Sequence, residues 1–190
     1  MYWKKRNNDS FLANSEKQRG TKIIGIVGTN RGVGVTHVCI MLAEYLALDK
    51  GVFVAILECN DHGDFKWMET NLFGKGTFPY LFHQVHYFTA VNLEYLEEIM
   101  KENYTYLILD FGEQLKGQEK ALRLCQKKIL LGVESWWKIG AMEEKQSYFF
   151  AKGFQCLYNL SGQGIPYSPL NKGPDKKAQT ILDNIITFRS

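Results

Sequence analysis

Apolar runs of strand length recur along the chain and alternate with stretches of helical periodicity. The strand candidates are almost uninterrupted apolar segments, which are typical of buried strands in a parallel sheet. They lie at 23–27, 52–57, 104–112, 128–133 and 154–159, with a shorter candidate at 84–89. This alternation predicts an α/β fold in which a doubly wound, mostly parallel sheet carries helices on both faces.

The helix candidates have apolar residues at spacings of three and four. They lie at 38–48, 92–102, 118–125, 135–151 and 175–189. We expect Asn92 to be an N-cap. The last candidate has a broad apolar stripe with basic residues only at its ends, so we expect it to dock against the sheet rather than on a membrane. Gly74, Gly76 and Pro79 predict an irregular segment at 66–80, with a short helix at most.

The most informative stretch is the glycine-rich loop, residues 28–37, which connects the first strand candidate to the first helix candidate. It reads Gly28-Thr29-Asn30-Arg31-Gly32-Val33-Gly34-Val35-Thr36-His37. A turn of this kind can hold phosphate, because its backbone N–H groups converge at the positive end of the helix dipole. The usual loop, G-x-x-x-x-G-K-[ST], has a lysine where this chain has Val35, and only the hydroxyl of Thr36 is retained. A glycine-rich turn that binds nothing stays open as an alternative.

The segment 32–36 and the helix that follows it resemble the MinD/ParA family of P-loop ATPases, whose loop reads K-G-G-V-G-K-T. Aligned on G-V-G, this chain has lost both lysines, at Asn30 and Val35, and Arg31 stands beside the first. Within the family, the chain resembles the CpaE/TadZ branch, which localises pilus assembly machinery. The resemblance implies a P-loop NTPase fold of the SIMIBI type with a degenerate Walker A motif. It also implies ATP or ADP with Mg²⁺ as cofactor, bound by Gly28, Asn30, Arg31, Gly32, Val33, Gly34, Val35, Thr36 and His37.

The resemblance further implies a magnesium site. The strand candidate 104–112 is similar to the Walker B strand of the family, and Asp110 falls on its aspartate, which holds Mg²⁺ at the carboxyl end of the sheet. Thr36 and Asp110 together would permit Mg²⁺–nucleotide binding. Glu58 and Asn60 fall on the D-x-D of the family, so Glu58 is a third candidate metal residue. A strand-end carboxylate that caps the next turn explains Glu58 equally well.

Two positions near the end of the chain match residues that contact the nucleotide base in the family. They are Asn159, at the end of the last strand candidate, and Pro166, in the loop 165–169. A turn asparagine and a proline-rich connection explain both residues without a ligand.

Composition and charge indicate one globular domain with a basic tail. The chain has 190 residues, 45% hydrophobic and 23% charged, which are ordinary values for such a domain. Residues 1–22 carry six basic residues against two acidic ones, whereas the net charge of the whole chain is only +3. The basic character therefore belongs to this segment and not to the rest of the chain. We therefore expect a flexible basic tail at 1–21 and a P-loop NTPase-like domain at 22–190. A solvated tail is the simpler interpretation, and contact with anionic lipid or nucleic acid stays open.

The four cysteines, Cys39, Cys59, Cys125 and Cys156, form no C-x-x-C pair and lie in apolar segments. Reduced, buried thiols in a cytoplasmic protein are the expected state. The absence of a long apolar run in the sequence supports this localisation, with peripheral membrane contact left open. The adjacent Trp136 and Trp137 point in different directions on a helix, so one of them is a candidate contact for a protein partner.

The residues leave three functional hypotheses open. The first is a regulatory or localisation factor that binds nucleotide, with little or no hydrolysis and with a homodimer as one possible assembly. The second is a nucleotide-free pseudo-ATPase scaffold. The third is a slow ATPase in which Arg31 or a partner residue replaces the lysine. We assign no catalytic residue, and secretion or pilus machinery at a membrane is the expected partner by analogy with the family alone.

Overall fold

The structure, a computed structural model, describes residues 20–74, 79–132, 140, 143, 148–158 and 176–187, with only the backbone at 156–158 and 177. Seven strands in these ranges form one sheet with the order β3-β4-β2-β5-β1-β6-β7. The strands are β1 Lys22–Gly28, β2 Val54–Glu58, β3 Tyr80–Phe82, β4 Val85–Phe88, β5 Tyr106–Asp110, β6 Lys127–Gly132 and β7 Phe154–Tyr158. All neighbouring pairs are parallel except β3 and β4, which form an antiparallel hairpin.

The helices follow the strands in the order that a doubly wound sheet requires. They are α1 Val35–Glu44, which continues as a π-helical turn Tyr45–Asp49, α2 Asp64–Phe73, α3 Leu93–Ile99, α4 Glu119–Leu124 and α5 Lys176–Ile186. The predicted α/β fold with a doubly wound, mostly parallel sheet is thereby confirmed. None of the helices in the described ranges is long and apolar enough to cross a membrane.

Successive residues of the central strands point to opposite faces of the sheet, and each face has its own hydrophobic core. Ile24 and Ile26 of β1 pack on the face that is covered by α1, α2 and α5. Ile23 and Val27 pack on the opposite face, which is covered by α3 and α4. The two cores explain why these strands are apolar along their whole length.

The apolar stripe of α5 docks against the sheet, as its sequence predicts. Leu182 and Ile185 are fully buried in the same core as α1. Burying side chains of this size stabilises the fold by roughly 1.5–3 kcal/mol each. The predicted N-cap of α3 is also confirmed, because the Asn92 side chain accepts a hydrogen bond from the amide of Tyr95 at 2.9 Å.

The prediction for residues 66–80 is wrong in part. The structure has the ten-residue helix α2 there, followed by the three-residue strand β3 on the edge of the sheet. Gly74 ends α2, as the sequence indicates. The start of the helix is stabilised by a residue outside this segment, because the Glu58 carboxylate accepts hydrogen bonds from the amides of Asp64 and Phe65. Buried Phe65 and Glu69 give it an inner face.

Three of the four cysteines, Cys39, Cys59 and Cys125, are buried free thiols, as predicted. Burial raises the pKa of each of them, so they are protonated and unreactive at neutral pH. The Cys156 side chain lies outside the described residues.

Candidate functional site

The candidate site lies at the carboxyl edge of the sheet, where the loops after β1, β2 and β5 meet. β5 lies between β1 and β2, and Asp110 at its end is in register with Ile26 of β1 and with Glu58 of β2. Open parallel sheets bind ligands at this edge. The sheet order therefore brings together three segments that are far apart in the sequence.

The glycine-rich loop is fixed at its base by the backbone of its neighbours. The Gly28 amide donates to the Gly112 carbonyl at 2.7 Å, and the Thr29 amide donates to the Leu131 carbonyl at 2.9 Å. Gly34 precedes α1 in the left-handed conformation, with φ 94°. Arg31 and Gly32, at the tip of the loop, are exposed. The turn thus follows a buried strand and leads directly into the first turn of a ten-residue helix.

Two valine side chains fill the inner side of the loop. Val33 is 1% exposed and Val35 is 7% exposed. A β-carbon on Gly28 would lie 2.6 Å from Cγ2 of Val33 and 2.8 Å from Cγ2 of Val35, so only glycine lets the loop close over the strand in this way. At the position where a phosphate-binding loop has its lysine, this chain has a buried apolar side chain and no cation.

Thr36, in the first turn of α1, faces the acidic strand ends. Its hydroxyl donates to Oδ2 of Asp64 at 3.3 Å. It also lies beside Asp110, since the two side chains interact closely enough for the hydroxyl to lower the pKa of Asp110 in part. The structure therefore brings together Thr36 and Asp110, the two residues predicted to permit metal binding.

Asp110 is fully buried. Its Oδ1 accepts hydrogen bonds from the Gly112 amide at 2.9 Å and from Nδ2 of Asn60 at 3.1 Å. Its Oδ2 has no hydrogen-bond partner of normal geometry within the described part of the chain. Burial raises the pKa of Asp110 to about 6, against the opposing effect of its hydrogen bonds and with a further contribution from the nearby Glu58 and Asp64 carboxylates.

Glu58 is buried at the end of β2, and both of its carboxylate oxygens are engaged. Oε1 accepts from the Asp64 amide at 2.7 Å, and Oε2 accepts from the Thr89 hydroxyl at 2.6 Å. These bonds cap the first turn of α2 and tie it to the loop after β4. The capping interpretation of Glu58 thus describes its contacts in this structure, and its role as a metal residue stays a prediction.

Asn60 bridges the loops after β2 and β5. Its Nδ2 donates to both the carbonyl and Oδ1 of Asp110 at 3.1 Å, and its Oδ1 accepts from the His62 amide at 3.0 Å. A carboxylate in place of this amide would face Asp110 without a donor. The residue that the sequence marks only as a lost charge therefore stabilises the buried aspartate.

A cleft of about 380 Å³ opens beside the loops after β2 and β5. Cys59, Val91 and Phe111 form its apolar floor. Nε2 of His62 and Oε2 of Glu113, 3.1 Å apart, form part of one wall. Nothing in the sequence pattern predicts this pair, because its two members belong to loops that meet only in the folded sheet.

The donor set at the site is compatible with Mg²⁺ that is shared with a ligand. Among the described residues, no three His, Cys, Asp or Glu side chains converge closely enough to hold a metal ion by themselves. Mg²⁺ in nucleotide sites needs fewer protein ligands, because it keeps several waters and takes the remaining oxygens from phosphates. The Thr36 hydroxyl and the unpartnered Oδ2 of Asp110 would hold it, and the ion would neutralise phosphate charge.

Several predicted residues cannot be placed. Asn159 and Pro166, the candidate base contacts, lie outside the described residues, as do Trp136 and Trp137. So does the basic tail, apart from residues 20 and 21. These predictions stay predictions.

The seven-stranded, mostly parallel sheet, with a glycine-rich turn between β1 and α1 and an aspartate at the end of the adjacent β5, has the fold of MinD/ParA-type P-loop NTPases. Solved structures bear this out, although each shares few identical residues with the chain and shows the fold alone. The MinC:MinD cell division complex of Aquifex aeolicus matches at 16% identity and a TM-score of 0.56, over 73% of this chain and 68% of that one.

Two further structures contain nucleotides. A candidate plasmid partition protein from Borrelia burgdorferi, bound to AMPPNP, matches at 14% identity and a TM-score of 0.51, over 75% of both chains. The septum site-determining protein MinD from Pyrococcus horikoshii, complexed with Mg-ADP, matches at 19% identity and a TM-score of 0.50, over 86% of this chain and 78% of that one. No protein-family model and no curated protein matches the sequence of the chain.

Proposed function

We propose that the chain is a degenerate MinD/ParA-like P-loop protein that binds Mg²⁺–ATP or Mg²⁺–ADP with little or no hydrolysis. The observation that carries this proposal is the fully buried Asp110 carboxylate, whose Oδ2 has no normal hydrogen bond from any described residue and whose side chain interacts with the Thr36 hydroxyl. Burying an acidic oxygen without a hydrogen bond of normal geometry is costly, and a cation at this position would offset that cost.

We expect weak hydrolysis because the glycine-rich loop lacks a positively charged side chain at the position of the usual lysine. Transfer of a phosphoryl group needs positive charge where negative charge develops, and the protein contributes little else. Val35 supplies no charge and is buried against Gly28. Arg31, the remaining basic side chain of the segment 28–36, is exposed at the tip of the loop. These features support recognition of a nucleotide without its rapid turnover, and a slow ATPase that uses Arg31 stays as an alternative.

Isothermal titration with ATP and with ADP, in Mg²⁺ and in EDTA, tests the proposal. We expect binding in Mg²⁺, and we expect Thr36→Ala to weaken it more in Mg²⁺ than in EDTA, because the hydroxyl acts through the metal. Thr70→Ala is a matched control, since Thr70 is an exposed threonine whose hydroxyl donates to a carbonyl of its own helix. No binding at millimolar nucleotide would reject the proposal in favour of a nucleotide-free scaffold.

A protein that binds nucleotide without turnover acts through what it assembles with. We propose that this chain is a regulatory or localisation factor, in keeping with its resemblance to the CpaE/TadZ branch and with the protein complex formed by the Aquifex MinD. A homodimer and a partner in membrane-associated secretion or pilus machinery are the assemblies to test. Light scattering with and without Mg²⁺–ATP, and affinity capture from native cells, measure them. A monomer that captures nothing under both conditions would contradict the assembly role.

A further inference from the structure

The site has an excess of negative charge that the phosphate-binding loop does not balance. Asp64 and Asp110 both lie beside the Thr36 hydroxyl, and Glu58 lies behind them. Neither of the positions that the resemblance assigns to lysine carries a charge, since they hold Asn30 and Val35. A phosphate group that approached this hydroxyl without a cation would be repelled by the Asp64 and Asp110 carboxylates.

Of Asp64 and Glu58, the two carboxylates that interact with this part of the site, only Asp64 is available to a ligand. Both oxygens of Glu58 accept hydrogen bonds, from the Asp64 amide and from the Thr89 hydroxyl, and Glu58 is 1% exposed. Asp64 is exposed, and its side chain makes one long hydrogen bond, at 3.3 Å, to Thr36. Asp110 is close enough for the Asp64 carboxylate to raise its pKa, and its buried Oδ2 has no normal hydrogen bond from the described residues. A hydrated divalent cation satisfies two such oxygens together.

We propose that Asp64 is a cation-binding residue that makes nucleotide binding by this chain conditional on a divalent cation. This rests on the proposed function. In the absence of the cation, Asp64 repels phosphate and occupies the Thr36 hydroxyl. When the cation is bound, the Asp64 carboxylate binds it and no longer accepts the hydrogen bond from Thr36. The Thr36 hydroxyl is then available to the cation. Asp64 therefore has opposite effects on affinity in the two conditions, which a residue of merely structural importance would not have.

The test compares Asp64→Asn with Asp61→Asn, the same charge change at another exposed aspartate, three positions before α2 begins. ATP affinity is measured by titration in Mg²⁺ and in EDTA. We expect the wild type and Asp61→Asn to lose at least tenfold in affinity when Mg²⁺ is removed. We expect Asp64→Asn to bind ATP more weakly than the wild type in Mg²⁺ and more tightly in EDTA. Its own affinities in the two conditions should therefore differ by less than threefold. If removing Mg²⁺ weakened ATP binding by Asp64→Asn as much as it weakens binding by the wild type, the inference would be overturned.

A second measurement needs no nucleotide. Mn²⁺ is titrated into the nucleotide-free proteins, and the free ion is followed by its electron paramagnetic resonance signal. Because the described residues supply fewer than three acidic ligands, we expect weak binding without nucleotide, tighter in the wild type and Asp61→Asn than in Asp64→Asn. Equal binding by all three would reject the role of Asp64. If no protein bound ATP but the Mn²⁺ difference were present, the proposed function would fail and the cation site would stand. Circular dichroism of each variant checks that α2 is intact.

Discussion

Replacing Asp110 by asparagine is expected to stabilise the nucleotide-free protein while it removes one of the proposed metal-binding residues. The pKa of Asp110 rises from an ordinary value of 3.8 to about 6, chiefly because the carboxyl group is buried. Asparagine has the shape of the neutral acid and carries no charge. The Asp110→Asn side chain can keep the hydrogen bond from the Gly112 amide and offer an N–H group to the Thr36 or Asp64 oxygens.

The magnitude and the sign follow from linkage. Because the pKa is raised on folding, the folded protein binds the proton more tightly than the unfolded chain. The wild type therefore loses stability as pH rises between about 4 and 6, and the whole loss is present above pH 7. One pH unit corresponds to about 1.4 kcal/mol, so the free energy of unfolding falls by about 3 kcal/mol at most. Asp110→Asn does not have this loss.

The assay is urea unfolding in EDTA at several pH values from 4 to 8, followed by circular dichroism. We expect Asp110→Asn to be more stable than the wild type by about 2–3 kcal/mol at pH 7.5, with the difference shrinking toward zero near pH 4. Asp49→Asn, an exposed aspartate at the end of the π-helical turn, is the matched control. A variant that is less stable than the wild type at pH 7.5, or a difference that does not vary with pH, would refute the reasoning.

Three further substitutions test the packing and charges of the site. Asn60→Asp loses a donor to Asp110 and places two carboxylates in contact, so we expect a loss of about 1–3 kcal/mol at pH 7.5 in urea unfolding and a smaller loss below pH 5. Val35→Lys places a cation in the loop, and we expect faster release of phosphate from ATP. Hydrolysis of ATP by the wild type at rates ordinary for MinD/ParA ATPases would contradict this. Gly28→Ala overpacks the loop and should cost about 1–3 kcal/mol in thermal unfolding, whereas Gly20→Ala, which meets no atom within 4 Å, should cost almost nothing.

The sequence predicts the central strands well, because each is covered on both faces and must be apolar throughout. It predicts β3 and α2 poorly for two different reasons. β3 has only three residues, too few to show a period. α2 is held at its start by Glu58, a residue outside the helix, whose contribution is invisible in the local pattern that ends in Gly74 and Pro79.

The loop and the strand-end aspartate were also predictable, since each is a local pattern with a known chemical purpose. The roles of Asn60, Asp64 and the His62–Glu113 pair were not. Thr36 and Asp64 are 28 positions apart and Asn60 and Asp110 are 50 apart, so their contacts depend on which strands become neighbours. An acidic residue at the first turn of a helix after a strand end is the one signal that could have pointed to Asp64.

The place of β1 in the sheet has a consequence for how the chain acquires its binding site during synthesis. β1 pairs only with β5 and β6, and Lys22 is in register with Tyr106, 84 positions later. Non-local parallel pairing of this kind is slow. Until residues 106–132 have left the ribosome, the apolar β1 of the nascent chain lacks both of its neighbouring strands, and exposed apolar surface of this kind is prone to aggregate. A chain that stops before β5 carries the complete glycine-rich loop but lacks Asp110, the other half of the candidate site.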